Sequence, residues 1–330
     1  MANDVGRAMV ALRHRDVRTR RRAVRTLFEH GDVEALEAFE ALLDDEDPWF
    51  VSKALDAYEK WGPASGPVAV QTLLSHASLN VKRAGANLLN SLGAEARDLA
   101  LEALKQDDSV IQKKAALCLL RLDDDEVVSA LLQHPSASVR ALALLNATLP
   151  AEQVLVCLDD DAEIVRHAAL EAILRSGLET DLNTLMPFFE ADVHAVEIFL
   201  WAAKHSQETL PLLAEQLNER HVKALSDHLR THVQNSNDPL IQVLVQTNTL
   251  QPVARWVLIQ GKEEDELRWS LIGNSSLDLI ERSKLLERLI GRAHESEIQK
   301  KTKQFMQETT EELLKVACEN LSTAASEVSP

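Results

Sequence analysis

The residues in this chain whose types and spacing could do chemistry are cations. An apolar or small position recurs at Thr19, Val51, Val81, Ile111, Val139 and Val165. The two residues after each are Arg20 and Arg21, Ser52 and Lys53, Lys82 and Arg83, Gln112 and Lys113, Arg140 and Ala141, and Arg166 and His167. Eight of those twelve are Lys or Arg and none is acidic, so the series can attract carboxylates or phosphates, with Arg able to engage two oxygens at once. Trp49, beside Phe50 just before the second of these positions, is a candidate apolar anchor. Two uses compete for these cations. They can reach turn carboxylates such as Asp47, Asp108 and Asp161, fixing register at typically less than about 1 kcal/mol per exposed pair, or they can bind an anionic partner.

Other chemistry finds little support. There is no Gly-rich phosphate loop, nucleophile elbow or Cys/His pairing. Cys118, Cys157 and Cys318 are far apart and predict buried reduced thiols. His76 and His134 both stand five residues before their repeat position, so the repeat accounts for them. His228 and His232 form an i, i+4 pair near His221, with no third metal ligand evident. No metal, no cofactor and no enzymatic activity is therefore expected.

The elements that must position the cations follow from the stretch Asp159 to Arg175, DDDAEIVRHAALEAILR. Val165, Ala168, Ala169, Ala172 and Ile173 recur on one helical face, and its small residues admit a close neighbour. Copies recur upstream at spacings of 32, 30, 30, 28 and 26 residues. The residue four positions on is Ala23, Leu55, Gly85, Ala115, Ala143 or Ala169, and caps are expected at Asp16, Asp47, Ser78, Asp108, Ser136 and Asp161. A second apolar segment precedes each copy, so the unit is a helical hairpin and the array a solenoid.

The run Asp161, Val165, Arg166, Ala168, Ala169, Ala172 resembles the HEAT-like (armadillo-type) repeat family. The resemblance implies an all-α, right-handed α-solenoid whose second helices line the concave side, and a scaffold more often than an enzyme. Of HEAT-like enzymes, a metal hydroxylase would show several His-Glu pairs in register, whereas only His294-Glu295 occurs here; bilin lyases and alkyl-base DNA glycosylases have no motif that can be placed on this chain. The expected organisation is a six-hairpin array over 1–177, degenerate helical repeats over 178–275, C-terminal helices over 276–320 including one long helix from Glu295 to Asn320, and a disordered tail over 321–330.

Composition bounds the partner. Net charge is -17, yet residues 1–30 hold eight Arg against three acids, so that end carries +5 and the remainder -22. Aromatics make up only 4%, too few to interleave with the cations as base stacking would want. No apolar run reaches spanning length and the N-terminus lacks a signal-like core, which predicts a cytoplasmic protein with no membrane partner. The expected function is noncatalytic binding of a protein partner with an acidic segment, through Arg20, Arg21, Lys53, Lys82, Arg83, Lys113, Arg140, Arg166 and Trp49. The alternatives are nucleic-acid binding or processing through the N-terminal Arg cluster, and a lyase-like enzyme acting on a protein.

Overall fold

A computed structural model describes residues 2–122 and 124–328, which are helical throughout with no strand among them. The chain divides into two compact units, Met1–Ser176 and Gly177–Pro330.

The first unit is six hairpins. They are α1 (Ala2–Ala11) with α2 (Val17–His30), α3 (Leu36–Glu40) with α4 (Pro48–Ser65), and α5 (Pro67–Leu74) with α6 (Leu79–Leu88). Then come α7 (Arg97–Leu104) with α8 (Ser109–Leu120), α9 (Asp125–Leu132) with α10 (Ala137–Asn146), and α11 (Ala151–Val156) with α12 (Glu163–Ser176). Most of these helices are too short to hold alone, and their stability comes from stacking. From α4 onward the second helices pack on one another in succession. Val81, Ile111, Val139 and Val165 are fully buried between them, each such side chain contributing about 1.5–3 kcal/mol.

One register position differs from the sequence expectation. In α4 the fully buried residue is Phe50, whereas Val51 is only half-buried. The position four residues on is then Ala54, also fully buried, instead of Leu55. With this shift the close-contact series reads Ala23, Ala54, Gly85, Ala115, Ala143, Ala169, small at every step. Gly85 marks the tightest approach, because a Cβ there would lie 2.8 Å from the Leu73 Cβ and 3.0 Å from the Leu74 nitrogen. Helix α4 continues through Gly62 and Pro63 and ends at Gly66, whose φ of 88° suits glycine.

The second unit continues as hairpins where the sequence pattern had faded. They are α13 (Leu182–Glu190) with α14 (Ala195–His205), α15 (Leu210–Gln216) with α16 (Val222–His232), and α17 (Pro239–Gln246) with α18 (Leu250–Val257). The last two are α19 (Asp265–Gly273) with α20 (Leu279–Glu287) and α21 (Ser296–Glu308) with α22 (Glu312–Val328). Helices α16, α18, α20 and α22 pack in succession, and Ser226, Ala254 and Ser283 on them are buried. The long helix expected from Glu295 to Asn320 is instead two helices broken after Glu308. The expected disordered tail is helical as far as Val328 and buries Leu321 and Ala325; residues 329–330 lie outside the described residues. Among the described residues no helix is long and apolar enough to cross a membrane.

Candidate functional site

The second helices of the first unit carry the predicted cations, and the turns between helices decide what those cations do. Five of the six turns contain an acceptor five residues before the repeat position (Phe50 in α4), which takes the backbone N–H two residues further on; before α8 that place is Gln106, whose Oε1 is buried with no hydrogen-bond partner. In α2, α6 and α10 it is histidine: Nδ1 of His14, His76 and His134 accepts from Asp16, Ser78 and Ser136 at 3.0, 3.0 and 3.1 Å. Before α4 and α12 it is aspartate: Asp45 accepts from Asp47 at 3.0 Å and Asp160 from Ala162 at 2.9 Å. Asp16, Asp47 and Asp108 cap their helices as expected, but Ser78 and Ser136 make no side-chain cap bond. The expected carboxylate Asp161 gives way to its neighbour Asp160.

Arginines of one hairpin reach the acidic turn of the next. Arg20 pairs with Asp45 and lies 3.8 Å over the Phe50 ring. Arg21 reaches Asp47 at 3.2 Å and lies 5.0 Å over Trp49, which is half-buried edge-on against Phe50. Arg83 grips Asp108 at 2.8 Å, and Arg140 grips Asp160 through two bonds of 2.7 and 2.9 Å. The rungs therefore run from α2 to α4, α6 to α8 and α10 to α12. Helices α4 and α8 have no Arg at these positions, and the turns after them, before α6 and α10, carry histidine instead of aspartate. Arginine and acidic turn are thus matched with a period of two hairpins.

These rungs shift the carboxyl groups. The Arg140 hydrogen bond holds the Asp160 carboxyl below the usual carboxylate range, and Arg83 followed by the Ile111 N–H does the same for Asp108. For Asp47 the Trp49 N–H is the main cause, with Arg21 adding to it.

The remaining predicted residues divide further. Arg166 donates to the carbonyls of Asp160 and Asp161 at 2.8 and 3.0 Å. Lys53 falls one place out of register once Phe50 is the buried residue, and pairs along its own helix with Asp56. Lys82, half-exposed on α6, and Lys113, exposed on α8, are in no ion pair among the described residues. The structure thus joins Arg20, Arg21 and Trp49 with Asp45, Asp47 and Phe50, and leaves Lys82 and Lys113 uncommitted. His14, overlooked by the sequence reading, was detectable by the same five-residue offset as His76 and His134.

The other candidates are accounted for locally. His221 is buried, accepts the Asn218 N–H at Nδ1 and directs Nε2 to Asp192 at 2.6 Å. His228 and His232 stack at 4.5 Å between ring centroids, and burial lowers the His228 pKa. No group of three or more His, Cys, Asp or Glu is placed to hold a metal among the described residues. Cys118 and Cys318 are buried and Cys157 half-buried; burial raises all three thiol pKa values, that of Cys318 to about 11.

No protein-family model matches the chain, and no curated protein matches it. The solved structures that resemble it include two crystal structures of engineered proteins from the Northeast Structural Genomics Consortium. One is 16% identical with a TM-score of 0.34 over 98% of this chain and 99% of that one. The other is 17% identical with a TM-score of 0.14 over 97% and 99%. What stands on the chain's own geometry is an all-α helical repeat of sequentially packed hairpins.

Proposed function

We propose that this chain is a cytoplasmic, noncatalytic protein-binding scaffold, a right-handed HEAT-like (armadillo-type) solenoid that receives an acidic segment of a partner on its second-helix side. The observation that carries this reading is the division of labour among the cations. Arg20, Arg21, Arg83 and Arg140 are taken up by turn carboxylates, while Lys82 and Lys113, on consecutive second helices, have no such partner among the described residues. A solvated ammonium on a long stem suits a reversible contact with a carboxylate. The test is a Lys82→Glu/Lys113→Glu double substitution, followed by affinity capture and unfolding. The expected result is loss of the captured partner with stability changed by less than about 0.5 kcal/mol. Unchanged capture overturns this assignment.

One observation favours a second reading, nucleic-acid binding at the N-terminal end. Six arginines, Arg7, Arg13, Arg15, Arg18, Arg22 and Arg25, are exposed and in no ion pair among the described residues. Titration with labelled oligonucleotides at two salt concentrations tests it, because phosphate contacts give a steep salt dependence. Salt-sensitive binding lost in an Arg18→Ala/Arg22→Ala/Arg25→Ala variant supports this reading, and no binding at low salt removes it.

A further inference from the structure

The second unit holds a charged groove that the repeat pattern did not anticipate. It crosses three consecutive second helices and encloses about 430 Å³, with Lys223, Asp227 and Arg230 from α16, Arg255 from α18, and Glu281 and Lys284 from α20 on its walls. Four cations face two carboxylates. Lys223 is exposed and in no ion pair among the described residues, and Arg230 stands 3.7 Å from Asp227.

Glu281 distinguishes this groove from an ordinary solvated charge patch. The residue is only 7% exposed, and its Oε1 receives Lys284 at 3.2 Å and Arg255 at 3.9 Å. Its Oε2 is buried with no hydrogen-bond partner. A buried acceptor left unpaired is costly, and a ligand that donates to it recovers that cost on binding.

We propose that this groove docks an extended acidic segment of a protein partner. On docking, the Glu281 carboxylate, buried in the free protein, turns to accept a backbone N–H of the segment, whose acidic side chains lie on Lys223, Arg230, Arg255 and Lys284. A sulfate ion would satisfy the cations but has no donor for Glu281, whereas a peptide carries both. Neighbouring helix axes lie about 8–10 Å apart, so crossing three of them takes about five or six extended residues at about 3.3 Å each. The inference rests on the scaffold reading but is independent of Lys82 and Lys113.

The test uses the full chain and a fluorescein-labelled peptide of alternating Gly and Glu, with a Gly-Lys peptide as control, read by anisotropy at low and physiological salt. The acidic probe is expected to bind and the basic one not. Lys223→Glu/Lys284→Glu, both at exposed positions, is expected to weaken binding at least tenfold. Glu281→Met is the decisive variant. It removes a negative charge, so simple charge attraction predicts tighter binding, whereas loss of the acceptor predicts weaker binding. Absence of binding by the acidic probe, tighter binding by a folded Glu281→Met variant, or equal competition by a short oligothymidylate each overturns the proposal. Should Glu281→Met fail to fold, the Lys223/Lys284 variant and the oligothymidylate competition decide. Lys82→Glu/Lys113→Glu is expected to leave this binding unchanged, which separates failure here from failure of the first-unit site.

Discussion

The two units differ in where their arginines are held. In the first, second-helix arginines at the surface reach across to a carboxylate in the next turn, one rung for every second hairpin. In the second, two arginines are buried and serve the main chain. Arg268, 1% exposed, donates to the carbonyls of Val257, Gln260 and Gly261 and pairs with Asp265, which also holds Arg292. Arg282, 6% exposed, donates to the Ile272 carbonyl at 2.7 Å. The difference follows from the turns. A regular turn supplies its own acceptors through His or Asp, and a cation is then free to bridge hairpins. Where turn chemistry is irregular, the open carbonyls at a helix C-terminus need a donor from elsewhere, and a guanidinium with several N–H groups can serve more than one.

This contrast can be broken most directly at Arg268. Arg268→Leu should destabilise the protein by about 3 kcal/mol, since it strands the carbonyls that the guanidinium serves, and hydrogen exchange should localise the loss to α18 and α19. A loss under about 1 kcal/mol in urea unfolding would mean that the buried guanidinium is not what holds these helices. Next in size is Gly85→Ala, which forces a methyl group against Leu73 and the Leu74 backbone and should cost about 2 kcal/mol by the same measurement. The equivalent positions already carry Ala, so a neutral result would show that α5 and α6 can separate freely.

The rungs should matter less, one at a time. A double-mutant cycle on Arg140 and Asp160 should give a coupling of about 1 kcal/mol, discounted for partial exposure, and the more exposed Arg83–Asp108 pair a smaller one. The smallest effect is on pH. Carboxyls whose folded pKa is lowered, as at Asp108 and Asp160, contribute stability that is complete above the ordinary value near 4 and is lost as pH falls through the folded-state values. Hydrogen exchange should therefore rise around these turns as the pH drops below about 4, and Arg140→Ala should flatten that dependence near Asp160. The carbonyl contacts of Arg268 carry no titrating acceptor and should not follow it.

Particular residues show how far the sequence could be read. Val81, Ile111, Val139 and Val165 announced themselves because one apolar side chain flanked by small residues is all that close helix stacking requires. Phe50 was passed over for Val51 because both are apolar, and only packing shows which one faces the neighbouring helix. Beyond Gly177 the small residues buried on the second helices include Ser226 and Ser283 as well as Ala254, so an Ala-based pattern fades although the helices still pack in succession. Leu321 and Ala325 near the C-terminus are buried only by α22 docking on the preceding hairpins.

By itself, the sequence determined that this protein is a stack of helical hairpins, because helical periodicity and repeat length are local properties written into consecutive residues. It also identified the cations that the stack would display. Only the tertiary structure decided which of them are already occupied. Arg83 and Asp108, or Arg140 and Asp160, are 20 or more residues apart and meet because successive hairpins place a turn beside the preceding second helix. The same proximity buries Glu281 beside Arg255 and Lys284. Whether a charge is occupied or available depends on distances between repeats, and those are set by how small residues such as Ala54, Gly85 and Ala254 let the helices approach.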